Sequence, residues 1–182
     1  MKICIISSST RSGRNSHRVA LALSELIRSH QKEVTLIDLL ETPLPFFKER
    51  YALLEEADRT ENMHYISQKL IESTGVIFVT PEYNGNSAPA LINLMDTFGR
   101  AEFGAKPIGV AAVSTGVLGG MRAAQQLQQN ILYIQGYPQP QLLLTGEVTK
   151  QLDEKGVILN AEYQQKIENF VNAYLKFAQR FV

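Results

Sequence analysis

Gly75-Val76-Ile77-Phe78-Val79-Thr80-Pro81-Glu82-Tyr83-Asn84-Gly85 passes without a break from an apolar run into a turn. Val76 to Val79 is apolar throughout and shows no alternation, so this strand is expected to be covered on both faces. Strands of that kind belong to parallel sheets flanked by helices. Pro81 then stiffens the exit from the strand, and Asn84-Gly85 can take the left-handed or tight geometry of a turn.

Outward from this junction, short apolar runs alternate with longer segments of helical period. On the amino side, Lys2 to Ser7 reads as the first strand and Glu33 to Leu40 as the second. Between them, Ser16 to His30 places Val19, Leu23, Leu26 and Ile27 on one stripe of an amphipathic helix, with Asn15 or Ser16 as its expected cap. Pro43 and Pro45 break regular structure. Lys48 to Asp58 is expected to add a helical turn or two, and Glu61 to Ser73 the second main helix.

On the carboxyl side, Ala88 to Phe98 resumes a helical stripe, Lys106 to Ser114 is the fourth strand, and Met121 to Gln135 is a helix. Gln141 to Thr145 is a short fifth strand and Tyr163 to Val182 the closing helix. Right-handed crossovers between such elements give an α/β fold: a three-layer α/β/α sandwich around a five-stranded parallel sheet in the order 2-1-3-4-5. Residues 1–182 are expected to form a single domain. Ligands of such sheets bind at the carboxyl ends of the strands, where strand order reverses between the first and third.

Eighteen basic residues balance eighteen acidic ones, so no global field draws the chain to nucleic acid or to an anionic membrane. Neither partner is expected. The apolar stretch at Met1 to Ile6 is too short for a signal peptide or a membrane span, and the cytoplasm is the expected location. Cys4 is the single cysteine and lies among isoleucines, as an inert core residue would. His17, His30 and His64 lack metal-ligand spacing, so no metal site is expected.

Three loops fall at the expected binding edge. The first, Ser7 to Ser16, is polar throughout: it combines hydroxyl side chains, Arg11 and Arg14 with the amino terminus of a helix, a combination suited to a compact dianion. Ser9, Thr10, Arg11, Asn15 and Ser16 are its candidate ligands. Neither G-x-G-x-x-G nor G-x-x-x-x-G-K-[ST] is present, so a monophosphate fits better than a pyrophosphate or triphosphate. The second loop offers backbone groups at Pro81, Glu82, Tyr83, Asn84 and Gly85 for the edge of a planar heterocycle such as isoalloxazine, with an ordinary Asn-Gly turn as the alternative. In the third, which opens with Ser114, the glycines Gly116, Gly119 and Gly120 let the backbone approach a ligand, and the helix after them would favour negative charge. Close helix-to-sheet packing is the alternative role for Gly119-Gly120. Asp38 reads as a solvent-facing strand end rather than a ribose-binding acid, and Arg14 is left open as the partner of a 2′-phosphate.

At these loops the chain resembles the NADPH-dependent FMN reductase family, which includes quinone, azo-dye and chromate reductases of flavodoxin-like fold. Pro81-Glu82-Tyr83-Asn84-Gly85 is similar to the family's P-E-Y-N-x segment, and Leu91 and Asn93 to its downstream L-K-N, with Ile92 at the lysine. Ser9 to Ser16 resembles its phosphate loop, with Ser8 at the usual glycine, and Ser114 to Arg122 its S-x-G-x-x-G-G-x-R. The resemblance implies FMN as cofactor, its phosphate held by Ser9, Arg11, Asn15 and Ser16. It implies Pro81 to Gly85 against the isoalloxazine, and Ser114 and Gly116 at the pyrimidine side. It also implies a homodimer or homotetramer, with Pro43 to Phe47 placed either beside the neighbour's flavin or in local packing.

The expected activity is hydride transfer from NADPH or NADH to bound FMN, then electron transfer to a diffusible small-molecule acceptor. The cofactor carries the chemistry, so no catalytic acid or base is named. An electron carrier serving protein partners is the alternative, disfavoured by the zero formal net charge. A flavin-free nucleotide dehydrogenase is weaker still, because its glycine fingerprint is missing.

Overall fold

A computed structural model describes residues 1–182. Its strands are β1 (Lys2–Ser7), β2 (Glu33–Asp38), β3 (Gly75–Pro81), β4 (Pro107–Val113), β5 (Tyr137–Pro138) and β6 (Leu143–Thr145). The helices are α1 (Ser16–Ser29), α2 (Glu61–Glu72), α3 (Pro89–Thr97), α4 (Arg100–Phe103), α5 (Met121–Tyr133), α6 (Val148–Gln151) and α7 (Ala161–Ala178). Every strand pairing is parallel, in the order β2-β1-β3-β4-β5 with β6 also on β4. The doubly wound order 2-1-3-4-5 is therefore as expected.

All residues of β3 and β4 are buried, which explains their unbroken apolar runs. Alternation sorts these side chains between two cores. Ile3, Ile5, Ile77 and Val79 point to one face, against Val19, Leu23 and Ile27 of α1 and Phe170 and Tyr174 of α7. Cys4, Ile6, Val76 and Phe78 point to the other, against Leu70, Leu91, Leu94 and Leu127. Each fully buried side chain of this size contributes roughly 1.5–3 kcal/mol to the hydrophobic term. Burial pushes the Cys4 thiol up to about 12, as befits an inert core residue.

Tyr174 is the largest wholly buried side chain and fits a slot left by two glycines. A Cβ on Gly75 would lie 2.5 Å from its hydroxyl, and one on Gly109 would lie 3.0 Å from its ring. The hydroxyl reaches the carbonyls of Val76 at 3.1 Å and Pro107 at 3.3 Å, near the starts of β3 and β4.

The fifth strand position departs from expectation. Instead of one segment at Gln141 to Thr145, two short strands share it: β5 opposite Pro107 and Ile108, and β6 opposite Ala111 to Val113. Gln139 to Leu142 bulge between them, and Pro140 has no N–H to give to a ladder. Several bounds also shift. β2 ends at Asp38, and α7 starts at Ala161, where Asn160 accepts from the N–H groups of Glu162 and Tyr163, while the helical turns expected within Lys48 to Asp58 are two 3₁₀ turns (Tyr51–Leu53 and Glu56–Asp58). Helices α4 and α6 are additional.

Candidate active site

The carboxyl ends of β1, β3 and β4 open on a cavity of about 290 Å³. Its wall comes from Ser9 and Arg11 to Ser16 of the first loop, Pro81 to Tyr83 of the second, Val113 to Thr115 of the third, and Val148 of α6. A larger cavity, about 490 Å³, lies between the carboxyl ends of α3 and α5 and the stretch Arg50 to Leu53. That groove is at the amino end of the sheet, so strand topology favours the smaller cavity.

The first loop lines this cavity, without the expected cap on α1. Asn15 has helical φ and ψ and its side chain does not cap α1, and the first turn carries no acidic residue. The first-turn N–H groups thus lack a side-chain acceptor. Ser16 Oγ is buried with no hydrogen-bond partner. A buried hydroxyl without a partner costs about 1–3 kcal/mol, and an anion at this helix terminus would satisfy it. Arg11 supplies positive charge beside it, its guanidinium 5.7 Å from the centre of the Tyr83 ring. These features fit a phosphate group.

The first and second loops are tied together. Ser9 Oγ and Tyr83 Oη share a hydrogen bond of 2.9 Å. Ser8, at the family's usual glycine, is fully buried and donates its hydroxyl to the Val79 carbonyl at 2.9 Å, so the loop keeps close to β3 despite the side chain. Thr80 Oγ1 accepts from the Ala88 N–H at 2.9 Å, holding the far end of the second loop.

Asn84 and Gly85 both have positive φ, 52° and 74°, and Tyr83 and Asn86 exchange backbone hydrogen bonds across them. This is a two-residue hairpin turn. It presents Tyr83 to the cavity but keeps Asn84 and Gly85 out of the wall. Thr10 and Gly116 also lie outside that wall; Thr10 instead lines a neighbouring pocket with Leu39, Pro43 and Phe46.

Gly119 is packed closely against the β6 backbone. Its φ is +63°, and a Cβ there would lie 2.9 Å from backbone atoms of Leu144, Thr145 and Gly146. Replacing Gly119 with alanine is expected to destabilise the fold by more than about 1 kcal/mol, because both the positive φ and immovable backbone oppose it. Thermal unfolding of the apoprotein measures this directly; an unchanged midpoint would contradict it.

The charge expected of the α5 amino terminus is already met. Glu82 accepts from the N–H groups of Arg122 at 3.1 Å and Ala123 at 3.4 Å, and Arg122 Nη1 lies 3.3 Å from its other oxygen. This carboxylate satisfies the helix end that the sequence assigned to a ligand's negative charge.

Asp38 is not solvent-facing. It is paired with Arg14, so Arg14 is not a free cation awaiting a 2′-phosphate. Beside them His17 Nδ1 bonds Ser7 Oγ at 2.9 Å. Burial lowers the His17 pKa from 6.5, outweighing the attraction of Asp38, so this imidazole is neutral at pH 7.

Ser12, Gly13, Arg14, Thr115 and Val148 line the cavity without having been singled out as its ligands. The first four sit within loops already identified. Val148 is brought in by α6, whose four residues give no sequence signal of their own. Asn93, matched only by resemblance, clamps the proline segment: it accepts from Phe47 N–H at 2.7 Å and donates to the Pro45 carbonyl at 2.8 Å. Phe46 beside them is 90% exposed, so it does not pack locally.

Comparison with known proteins agrees with this architecture. A quinone reductase of Pseudomonas putida is 26% identical over 183 residues, covering 97% of this chain and 94% of the relative. An FMN-dependent NADPH-azoreductase of Staphylococcus aureus is 26% identical over 167 residues, covering 90% and 88%. Among solved structures, the flavoenzyme NAD(P)H:(acceptor) oxidoreductase FerB of Paracoccus denitrificans superposes with a TM-score of 0.81 at 19% identity, covering 99% of this chain and 98% of that one. Oxidised flavodoxin 1 of Bacillus cereus gives 0.64 at 16% identity, covering 97% and 98%. The family described as NADPH-dependent FMN reductase matches residues 1–150, and the chain belongs to that family.

Proposed function

We propose that this protein is an NAD(P)H-dependent flavin oxidoreductase that binds FMN and passes electrons to a diffusible acceptor such as a quinone, an azo compound or free flavin. The observation that carries the reading is one cavity holding both an uncapped helix terminus with the unpartnered Ser16 hydroxyl and a wall of Tyr83 and backbone suited to a planar ring. FMN, when bound, supplies the exchange of electrons between nicotinamide and acceptor.

The protein's own residues bind and orient. Ser9, Arg11, Asn15 and Ser16 hold the phosphate, Arg11 by charge and Ser16 with the first turn of α1 by hydrogen bonds. Pro81, Glu82 and Tyr83 contact the ring edge, and Ser114 with Thr115 lies beside them at the end of β4, where Pro81 is paired with Val113. Glu82 acts in this reading through its backbone carbonyl, since its N–H is donated to Val113 and its carboxylate serves α5. Asn84, Gly85, Gly116 and Gly119 shape the two turns, and Thr10 faces the next pocket.

The quinone reductase and azoreductase relatives favour an enzyme with small-molecule acceptors over an electron carrier. Purified protein saturated with FMN is expected to oxidise NADPH or NADH when given a quinone or azo dye. No nucleotide oxidation with either acceptor would reject the activity.

A single domain, a cytoplasmic location and a homodimer or homotetramer complete the reading. No helix is long and apolar enough to cross a membrane. Around the groove at the amino end of the sheet, Leu53 and Leu132 are exposed and Tyr133 is 92% exposed, which supports self-association there. Sedimentation velocity at micromolar concentration is expected to show a dimer or tetramer, and a monomer would remove that part.

A further inference from the structure

The first loop carries two arginines that behave differently. Arg11 is exposed and stands over Tyr83. Arg14 also borders the cavity, but its guanidinium forks onto the carboxylate of Asp38, with Nη2 2.5 Å from Oδ2 and Nη1 on Oδ1. Nη1 also donates to the Ser9 carbonyl at 3.2 Å. Both side chains are only 13% exposed. Asp38 ends β2, and its Oδ1 also accepts from the Leu40 N–H at 3.0 Å. His17 Nδ1 lies 3.5 Å from Asp38 Oδ2 on the other side.

A fork of this kind is planar and directional, so it fixes the Arg14 head rather than leaving it to swing toward a ligand. The donor to Ser9 in turn fixes the peptide between Ser9 and Thr10, because a planar trans peptide turns its N–H opposite to its carbonyl. The start of the phosphate turn is thus anchored to the end of the neighbouring strand. The positive charge of Arg14 is balanced by Asp38, which leaves Arg11 as the cation for a dianion.

We infer that Arg14 and Asp38 are a positioning pair that sets the selectivity of this site for a phosphorylated flavin over an unphosphorylated one, by holding the Ser9–Ser16 turn in its anion-accepting shape. The inference rests on the FMN reading above and deepens it. Asp38 is decisive because the two possible roles of Arg14 give opposite signs. If Arg14 is an anchor, loss of the Asp38 charge loosens the turn and weakens FMN. If Arg14 is itself a phosphate ligand restrained by Asp38, loss of that charge releases it and strengthens FMN.

Dissociation constants for FMN and for riboflavin, from quenching of flavin fluorescence, test this on wild-type protein and on D38N, R14M and the double variant. The amide that D38N introduces keeps an oxygen for the Leu40 N–H, so that local turn stays intact. Each single variant is expected to weaken FMN by about tenfold and riboflavin by less than about threefold, with the double variant no weaker than either single. R14K, which keeps the charge but not the fork, is expected to behave like R14M. Tighter FMN binding by D38N, additive losses in the double variant, or equal losses for both flavins would overturn the pairing. A wild-type protein that binds FMN and riboflavin equally would instead remove the phosphate reading beneath it. Should R14M fail to fold, D38N and R14K carry the same comparison.

Discussion

Ser16→Asp is expected to abolish useful FMN affinity while leaving the apoprotein folded. Ser16 opens α1, where a carboxylate is favoured by the helix terminus by roughly 0.3–1 kcal/mol. The first-turn N–H groups that lack a side-chain cap would donate to it. The same carboxylate would occupy the cradle proposed for a phosphate carrying about −1.5 to −2 charge. Two unit like charges about 5 Å apart repel by roughly 3 kcal/mol at an effective dielectric of about 20, which is more than about a hundredfold in Kd. Calorimetric titration with FMN measures that loss, and circular dichroism checks the fold. Riboflavin, lacking the phosphate, should lose far less. FMN affinity within about threefold of wild type would place the phosphate elsewhere.

Tyr174→Ala is expected to cause the largest loss of stability. Truncating a buried aromatic of this size costs about 3–5 kcal/mol, because the transfer energy is lost and the slot beneath Gly75 and Gly109 stays empty. The carbonyls of Val76 and Pro107 also lose their hydroxyl partner. At about 2–4 °C per kcal/mol for a chain of this length, the Tm should fall by roughly 6–20 °C. Tyr174→Phe isolates the hydrogen-bonding part and should cost about 1 kcal/mol. A Tm for the alanine variant within about 2 °C of wild type would contradict the central position given to this ring.

The sheet and its order were legible because β1, β3 and β4 are covered on both sides and so carry unbroken apolar runs. The cavity at the carboxyl ends of β1, β3 and β4 opens on the edge that the strand order points to, and the polar first loop lines it. The split at the fifth position was not legible, since Tyr137-Pro138 is too short to show a period and the bulge is defined by what faces it on β4. Helix α4 likewise depends on tertiary contact: Glu102 is buried, accepts from Ser67 Oγ at 2.9 Å and from the Gly99 N–H at 2.9 Å.

Within the site, sequence located the loops better than it assigned their side chains. Glu82 turns to α5 across 40 positions of sequence, and Arg14 to Asp38 across 24, distances at which no spacing rule operates. The close approach of Gly119 to Leu144, Thr145 and Gly146 was not legible either, because β6 is distant in sequence.

The interruption opposite Gly109 and Val110 bears on solubility during folding. A rim with two prolines and two short paired stretches gives a passing chain no continuous ladder to extend, so the hydrophobic strands behind it are shielded from cross-β stacking. Aggregation pressure on this molecule therefore falls on the opposite rim, where β2 presents six residues in one uninterrupted line.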